Sequence, residues 1–362
     1  MLKRSTKRAA YVTFAFGFMV MAAIFLRAGV GDIGAAFGGI VEPKYIGYAL
    51  VMYVGTIASS TTRWAFLLGK QFKKSRFHHL FLLVITGTFV NLITPGPRSG
   101  GEPVRAYLLS RLNPKIKKRD ALASSVMDGY VLVAVFLVLC VVTAMTVFTL
   151  WTLTPLLYLG AIGGLLFVFA IGGLGTFVIF FKKFGTNFIM GITKRLLPKI
   201  YHIKHFRSIR KKYKTCGKLE KVAERVVCDF FVNVDKLAND PKTLFTAITI
   251  AYVTYFFAIM QLHYIFLAFG IRLPFLIVLS LAILPELLGL ISALPGGFGV
   301  LEASMVLLFE SALGLTAAVA TAIMIINRLI SYWLTIFLGF LCTSFLWHRI
   351  LGTSKEELWK KR

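Results

Sequence analysis

Long apolar runs alternate with short polar connections along most of the chain. A helix that crosses the hydrocarbon core of a bilayer needs about 20 mostly apolar residues. The runs of this kind predict six membrane-spanning helices, at Tyr11–Leu26, Tyr45–Leu68, Ala121–Leu150, Pro155–Phe181, Thr243–Phe269 and Ala317–Trp347. The first run follows a basic start, as in a signal peptide, but Arg27-Ala28-Gly29-Val30 is a poor cleavage site, so an uncleaved span is predicted.

Two further apolar segments are interrupted by Pro and Gly. Residues 78–112 contain a Pro-Gly-Pro break before Glu102, and residues 274–313 contain a Pro-Gly-Gly break before Glu302. The two glutamates are 200 positions apart. Broken backbone at membrane depth is tolerated only where protein buries it or where it lines a wet cavity. Each segment therefore predicts a re-entrant helical hairpin.

The distribution of Lys and Arg predicts the topology. Of the 41 basic residues, 34 lie at the two termini, at the ends of the first hairpin and in residues 182–242, whereas 3 lie in the opposite connections. Cytoplasmic loops are the ones enriched in Lys and Arg. We therefore expect a multi-pass protein of the cell membrane with both termini cytoplasmic. The first hairpin should enter from the cytoplasm and the second from outside.

These elements predict two halves with the same plan in opposite orientations. Residues 1–150 hold two spans, the hairpin 78–112 and a third span, and residues 151–350 repeat this order around a cytoplasmic insert at 182–242. Residues 351–362 form a cytoplasmic tail. Inverted repeats are typical of secondary transporters. The predicted fold class is an all-α polytopic membrane protein with six spanning helices, two oppositely oriented re-entrant helical hairpins and an inverted repeat.

The basic insert carries an amphipathic pattern. Val222, Val226 and Phe230 recur at helical spacing, with charged residues on the other faces, which predicts an amphipathic helix. Attachment to anionic lipid of the inner leaflet is the plainer interpretation, and binding of a partner protein is the alternative. Nucleic acid is not an expected partner, because no recognition motif accompanies the charge.

The first break predicts a pocket for an anionic group. Arg98 and Arg105 bring positive charge, and Gly100 and Gly101 permit close approach of the backbone. The start of the following helix offers unpaired N–H groups and a positive dipole end, which suit phosphate. The alternative is that these Gly residues only turn the chain and that Arg98 pairs with Glu102. The high cost of arginine inside a membrane favours the functional interpretation.

The second break extends this predicted substrate-binding site with Gly296, Gly297 and Glu302. Glu102 and Glu302 each begin a helix, where the dipole favours a carboxylate. Capping is the plain role for both glutamates. Pairing with arginine, or proton exchange during transport, is the alternative.

Other charged residues within the apolar segments need partners. Arg328, Asp128 and Glu286 are counted with the predicted substrate-binding residues. Arg328 is expected to help hold the head group, with a purely structural ion pair as the alternative; it has no acid nearby in sequence, so Glu302 or Glu286 is its expected partner. Asp128 is expected to reach Arg98 or Arg105 as a fixed counter-charge, with a proton relay as the alternative, and the role of Glu286 is otherwise open. Arg63 is expected to extend to the inner membrane surface.

The sequence does not indicate catalytic chemistry. Its six His are dispersed, and it contains no Ser-His-Asp set, HExxH motif or P-loop. The four Cys show no CxxC spacing. We therefore expect no enzymatic activity, no cofactor and no metal.

At its two breaks the chain resembles the lysylphosphatidylglycerol synthase transmembrane-region family, also called the flippase-like domain family. The resemblance rests on residues 95–105 and 294–302 and extends over about residues 11–347. It implies lipid translocation, or assistance to lipid or glycolipid assembly. It assigns the family's polar positions to Arg98, Glu102, Arg105, Pro295, Gly296, Gly297, Gly299, Glu302 and Arg328. The short stretch after Trp347 has no room for the aminoacyl-transferase domain of bifunctional members, so lysine transfer is not expected.

The sequence thus predicts a flippase or scramblase for an anionic phospholipid or a polyprenyl-phosphate-linked lipid. One alternative is a membrane scaffold that assists a cytoplasmic lipid or glycan transferase. A less favoured alternative is an integral-membrane enzyme that acts on lipid phosphates. The expected partners are the anionic lipid and the membrane, with a cytoplasmic transferase added in the scaffold alternative.

Overall fold

The computed structural model describes residues 4–69, 76–94, 100–150, 155–180, 239–292 and 294–359, together with isolated positions between 186 and 235. Almost all of this described part is α-helical, and it contains no strand. The all-α class predicted from the sequence is therefore confirmed for these residues. Most of the helix predicted within 182–242 lies outside the described residues, as do residues 95–99, which include Arg98.

The N-terminal half contains helices α1 to α6, at Arg4–Ala28, Val30–Gly38, Lys44–Leu68, Phe77–Ile93, Gly101–Leu112 and Lys118–Leu150. The short helix α2 was not predicted. The chain turns at Gly29, whose φ of 75° lies in the left-handed region that favours glycine. The helix axis bends by 71° between α1 and α2.

The C-terminal half contains helices α7 to α12, at Pro155–Phe180, Pro241–Ala268, Phe275–Ile291, Val300–Leu313, Ala317–Arg328 and Leu334–Trp359. A short 3₁₀ turn at Pro295–Gly297 separates α9 from α10, and a π-helical segment at Leu329–Trp333 joins α11 to α12. Helices α4 and α5 occupy the first predicted hairpin, and α9 and α10 occupy the second. An interrupted helix is therefore confirmed at both places.

The described helices supply fewer spans than the six predicted. Among the described residues, four stretches are long and apolar enough to cross a bilayer, and the count rises to five if the bent pair α1–α2 is taken as one span. The four are Lys118–Thr149, Pro241–Ala268, Pro295–Leu313 and Ala317–His348. Helix α3 has 25 residues, but buried polar side chains such as Ser59, Thr61 and Arg63 lower its apolar character. A multi-pass membrane protein is confirmed, and the count of six spans is not.

Helices of the two halves pack against each other. The most extensive contact is between α3 and α8, and α12 lies along α4 much as α6 lies along α9. The main apolar core lies among α3, α6, α8, α9, α10 and α11 and includes the buried Met127 and Leu284. A smaller core beside α3, α4 and α5 includes Trp64, Leu83 and Leu109. This packing also places the turn between α9 and α10 against α4.

The second break lies against the end of α4, where the first break begins. A Cβ atom on Gly296 would lie 3.3 Å from the main-chain oxygen of Leu92 and 2.5 Å from the Tyr332 ring. A Cβ atom on Gly297 would lie 3.1 Å from the Cα atom of Gly289. Both glycines have positive φ, at 58° and 67°. The turn therefore requires glycine twice, for its backbone conformation and for its close contacts.

Candidate functional site

A buried charged cluster joins α3, α5 and α6. Asp128 uses its two carboxylate oxygens separately: Oδ1 accepts a hydrogen bond from Arg63 Nε at 2.6 Å, and Oδ2 accepts one from Arg105 Nη2 at 2.7 Å. The side chains of Arg63 and Asp128 are each 1% exposed. The prediction that Arg63 extends to the membrane surface is therefore wrong, because a buried carboxylate holds its guanidinium in the core. The predicted contact between Asp128 and an arginine of the first break is confirmed.

Further polar groups complete this cluster. Arg105 Nε donates to Ser125 Oγ at 2.6 Å, and the Arg105 guanidinium lies 4.7 Å from the centre of the Trp64 ring. Arg63 Nη1 donates to Thr254 Oγ1 on α8 at 3.0 Å. Side chains of the four helices α3, α5, α6 and α8 are therefore joined in one buried polar cluster. The guanidinium of Arg105 is bound by groups of the protein itself, which makes it part of the framework of the site.

Asn91 closes the first break from the end of α4. Its Oδ1 atom accepts hydrogen bonds from the N–H groups of Gly100 at 3.2 Å and Gly101 at 2.7 Å. Its Nδ2 atom donates to Glu102 Oε1 at 3.2 Å. Two of the N–H groups that were predicted to await a phosphate at this helix start thus already have an acceptor. Sequence reasoning missed Asn91; its signal was an amide side chain one turn before a Pro-Gly break.

A second buried ion pair lies at the second break. Arg328 Nε donates to Glu302 Oε1 at 2.6 Å, and Nη2 donates to the main-chain oxygen of Gly296 at 3.2 Å. Glu302 Oε2 accepts the N–H of Gly299 at 2.6 Å, at the start of α10. The Arg328 guanidinium also lies 4.3 Å from the centre of the Tyr332 ring. The predicted pairing of Arg328 with Glu302 is confirmed, and Glu302 caps the helix as well.

Charged residues at the two breaks are separated by a constant spacing in the sequence. Asp128 on α6 and Arg328 on α11 are 200 positions apart, as are Glu102 and Glu302. Asp128 pairs with Arg105 on the helix after the first break, and Arg328 pairs with Glu302 on the helix after the second. The helix after each break is therefore joined to the next helix by an ion pair: α5 supplies the arginine at the first break, and α10 supplies the carboxylate at the second.

A cavity of about 410 Å³ lies beside the second ion pair. Arg328 and Glu302 provide its charged groups. The rest of its described lining comes mainly from α1, α11 and the segment after α11, and it is apolar, with Phe18, Phe25 and Trp333 among its side chains. Ligand sites are typically concave and mostly apolar, with a few placed polar groups. This cavity, which we call the Arg328 cavity, has the lining that an amphiphilic molecule requires.

The predicted site residues do not share one cavity within the described part of the chain. Arg328 lines the Arg328 cavity, whereas Arg105 belongs to the Asp128 cluster. Glu286 lines a separate cavity of about 30 Å³ together with Tyr255. Arg98 lies outside the described residues.

Buried ion pairs are suited to binding ionic groups. A guanidinium binds phosphate oxygens through charge-assisted hydrogen bonds, and a carboxylate accepts them from an ammonium group. Among the residues that the structure describes, no cluster of three or more His, Cys, Asp or Glu side chains is arranged to hold a metal ion. The Arg328 cavity thus presents one guanidinium and one carboxylate beside apolar side chains.

Several described helices are long and apolar enough to cross a membrane, and the chain is therefore a multi-pass helical membrane protein with interrupted helices and buried ion pairs. The chain belongs to the lysylphosphatidylglycerol synthase TM region family, whose family model matches residues 11–339. This confirms the family predicted from the two breaks.

Archaeal membrane proteins resemble the chain over most of its length. It is 26% identical to a UPF0104 membrane protein of Methanothermobacter thermautotrophicus over 331 residues, which cover 91% of this chain and 93% of the relative. It is 27% identical to a UPF0104 membrane protein of Methanocaldococcus jannaschii, covering 83% and 84% of the two chains. A UPF0104 membrane protein of Pyrococcus horikoshii is 28% identical, with coverages of 82% and 85%. The family is consistent with a lipid-related role in the membrane.

Proposed function

We propose that this protein is a lipid flippase or scramblase that moves a phosphate-bearing lipid across the cell membrane. Anionic phospholipids and polyprenyl-phosphate-linked lipids are the substrates predicted from the sequence. The lipid moves without chemical change, so the protein is not an enzyme in this proposal. Binding in the Arg328 cavity is the central step.

The composition of the Arg328 cavity carries the proposal. A lipid presents a charged head group and an apolar chain, and the described lining has one ion pair and otherwise apolar side chains. Arg328 can bind a phosphate while Phe18, Phe25 and Trp333 contact the chain. The volume of about 410 Å³ lies within the usual range for ligand pockets.

The packing of the helices supports transport by two related halves. In this proposal the chain has six spans, two re-entrant hairpins of opposite orientation and both termini in the cytoplasm. Corresponding helices α3 and α8 pack on each other, and the α4–α12 contact has its counterpart in the α9–α6 contact. A pseudo-two-fold relation of this kind allows one half to rock against the other and open the site alternately to each side.

Translocation in liposomes tests the proposal. The protein is reconstituted with lipids that carry a fluorescent label on an acyl chain, and a membrane-impermeant quencher measures the labelled fraction that crosses the bilayer. Arg328→Gln should slow the movement about tenfold or more, because it removes the charged donor of the cavity. Arg328→Lys, which keeps the charge, should retain more activity.

Arg27→Gln is the matched control. Arg27 also pairs with a glutamate of α10, Glu310, at 2.7 Å, but its side chain is 59% exposed. Its loss should therefore leave the rate nearly unchanged. Equal rates for Arg328→Gln, the wild type and protein-free liposomes would refute translocation by this site.

The basic segment 182–242 motivates the second candidate, a scaffold that docks a cytoplasmic transferase. Deletion of residues 204–239 separates the two proposals. A scaffold would lose its function on this deletion and keep it in Arg328→Gln, whereas a lipid transporter would respond in the opposite way. An enzyme acting on lipid phosphates would form product in detergent, where no second compartment exists.

A further inference from the structure

The described wall of the Arg328 cavity carries no net charge. Its one guanidinium, on Arg328, pairs with its one carboxylate, on Glu302, at 2.6 Å. The positive charge of Arg105, which the sequence had assigned to the same pocket, is bound to Asp128 elsewhere. The cavity therefore differs from the cationic pocket that would select an anionic head group.

The Glu302 carboxylate is fixed in this wall. One of its oxygens accepts a hydrogen bond from Arg328 Nε, and the other accepts one from the N–H of Gly299, both at 2.6 Å. The residue is 2% exposed. A rotation of Glu302 away from the site would leave both donors without their acceptor. A phosphate that approaches Arg328 thus also approaches a stationary negative charge.

The apolar surroundings strengthen this repulsion. Charges interact more strongly where apolar side chains replace water, and salt screens them less. Phe18, Phe25 and Trp333 provide such surroundings in the Arg328 cavity. A head group with phosphate alone gains one attraction and one repulsion there. Specificity commonly arises in this way, when the wrong ligand brings like charges together.

A head group with two opposite charges avoids the repulsion. Its phosphate can bind the Arg328 guanidinium while its ammonium donates to the Glu302 carboxylate. Both charges of the wall then keep a partner of opposite sign. A primary ammonium suits this arrangement better than a quaternary one, because only the primary group has N–H donors.

We infer that the substrate of the Arg328 cavity is a zwitterionic phospholipid with a primary amine, its phosphate on Arg328 and its ammonium on Glu302. The inference rests on the proposed lipid translocation and replaces the anionic substrate with a zwitterionic one. Glu302 becomes the residue that determines head-group specificity.

Phosphatidylethanolamine and phosphatidylglycerol are the test lipids. Both carry the label on an acyl chain, and each is added in trace amount to phosphatidylcholine vesicles that contain the full-length protein. Binding of the same two lipids is measured separately in detergent by native mass spectrometry. The wild type should prefer phosphatidylethanolamine by about fivefold or more in both assays.

Glu302→Gln should abolish or invert this preference, because it removes the negative charge and keeps the shape. Glu302→Asp, which retains the charge, should preserve the direction of the preference. Glu310→Gln is the matched control: the same substitution on the same helix, at the carboxylate that pairs with the exposed Arg27. It should leave the preference unchanged.

The outcomes separate the inference from the proposed function. Equal handling of the two lipids, or a preference of the wild type for phosphatidylglycerol, overturns the inference even when translocation is observed. A binding preference for phosphatidylethanolamine without movement of either lipid supports the site chemistry and overturns translocation. An unchanged preference in folded Glu302→Gln overturns the role of Glu302. If that variant does not fold, the preference of the wild type between the two lipids decides whether the inferred substrate class is correct.

Discussion

Removal of the Asp128 charge should destabilise the protein strongly. Asp128→Asn keeps the shape of the side chain but leaves two guanidinium groups without their carboxylate. The side chains of Arg63 and Arg105 are 1% and 8% exposed, so water cannot replace the lost partner. Breaking a buried ion pair from one side costs about 3–5 kcal/mol of unfolding free energy. We expect a loss in this range.

The removal of one arginine should cost less. Arg63→Met leaves Asp128 paired with Arg105 at 2.7 Å, so no carboxylate is orphaned. The double variant Arg63→Met/Asp128→Asn leaves a single unpaired guanidinium and should recover part of the loss caused by Asp128→Asn alone. The two effects should thus be non-additive, as contacting residues in one network generally are.

Reversible unfolding in mixed detergent micelles, followed by tryptophan fluorescence, measures these free energies. Trp64 is a local reporter, since its Nε1 donates to Ser124 at 3.2 Å and the Arg105 guanidinium lies 4.7 Å from the ring centre. Asp120→Asn is the control on the same helix. Asp120 lies 3.6 Å from an arginine and is 19% exposed, so its loss should stay within about 1 kcal/mol. A loss below about 1 kcal/mol for Asp128→Asn, or no recovery in the double variant, would refute the reasoning.

Three further substitutions probe the helix starts and the close packing. Gly101→Ala should cost about 1–3 kcal/mol, because its Cβ would lie only 2.1 Å from a main-chain oxygen of α4; thermal unfolding in detergent measures the loss. Asn91→Ala should cost about 1–3 kcal/mol in the same assay, since two N–H groups of the first break lose their acceptor. At the start of α8, the Thr243 hydroxyl and N–H donate to Asp240 and lower the pKa of that carboxyl. The ionised Asp240 carboxylate therefore stabilises the fold at pH values above the ordinary pKa of aspartate, and this stabilisation should fade as the pH falls from about 5 to 3. Asp240→Asn should remove this pH dependence.

Each of these predictions has a result that contradicts it. Gly163→Ala is the control for the packing argument, because a Cβ at Gly163 would meet no atom within 4 Å; an equal loss at both glycines would contradict it. Wild-type stability in Asn91→Ala would show that the first break does not depend on this amide. An Asp240→Asn variant with the acid profile of the wild type would remove the assigned cause.

The charged site was predicted in part. Arg328 with Glu302, and Asp128 with an arginine of the first break, followed from the rule that intramembrane charges need partners. The predicted position of the Arg63 side chain, at the membrane surface, was wrong, because its partner Asp128 is 65 residues away in sequence. No local pattern of hydrophobic and polar positions encodes such a distance. Only the packing of α3 against α6 brings the two side chains together.

The sequence by itself determined the features that depend on neighbouring residues. Long apolar runs specify helices, Pro and Gly specify where those helices break, and the signatures at the breaks identified the family. These signals are local, because backbone geometry and transfer from water act on each segment separately. They also placed an interrupted helix at each of the two predicted hairpins.

Only the tertiary structure decided which charges meet and what net charge the cavity carries. A sequence shows that an arginine is present, but it does not show whether a ligand or a carboxylate of the protein neutralises its charge. Its partner depends on how distant helices pack, and a buried charge strongly favours whichever opposite charge that packing brings within hydrogen-bonding distance. For this reason the sequence predicted one pocket that holds the charges of both Arg105 and Arg328, whereas in the folded chain Asp128 and Ser125 bind Arg105 and the Arg328 cavity is lined by Arg328 alone of the two.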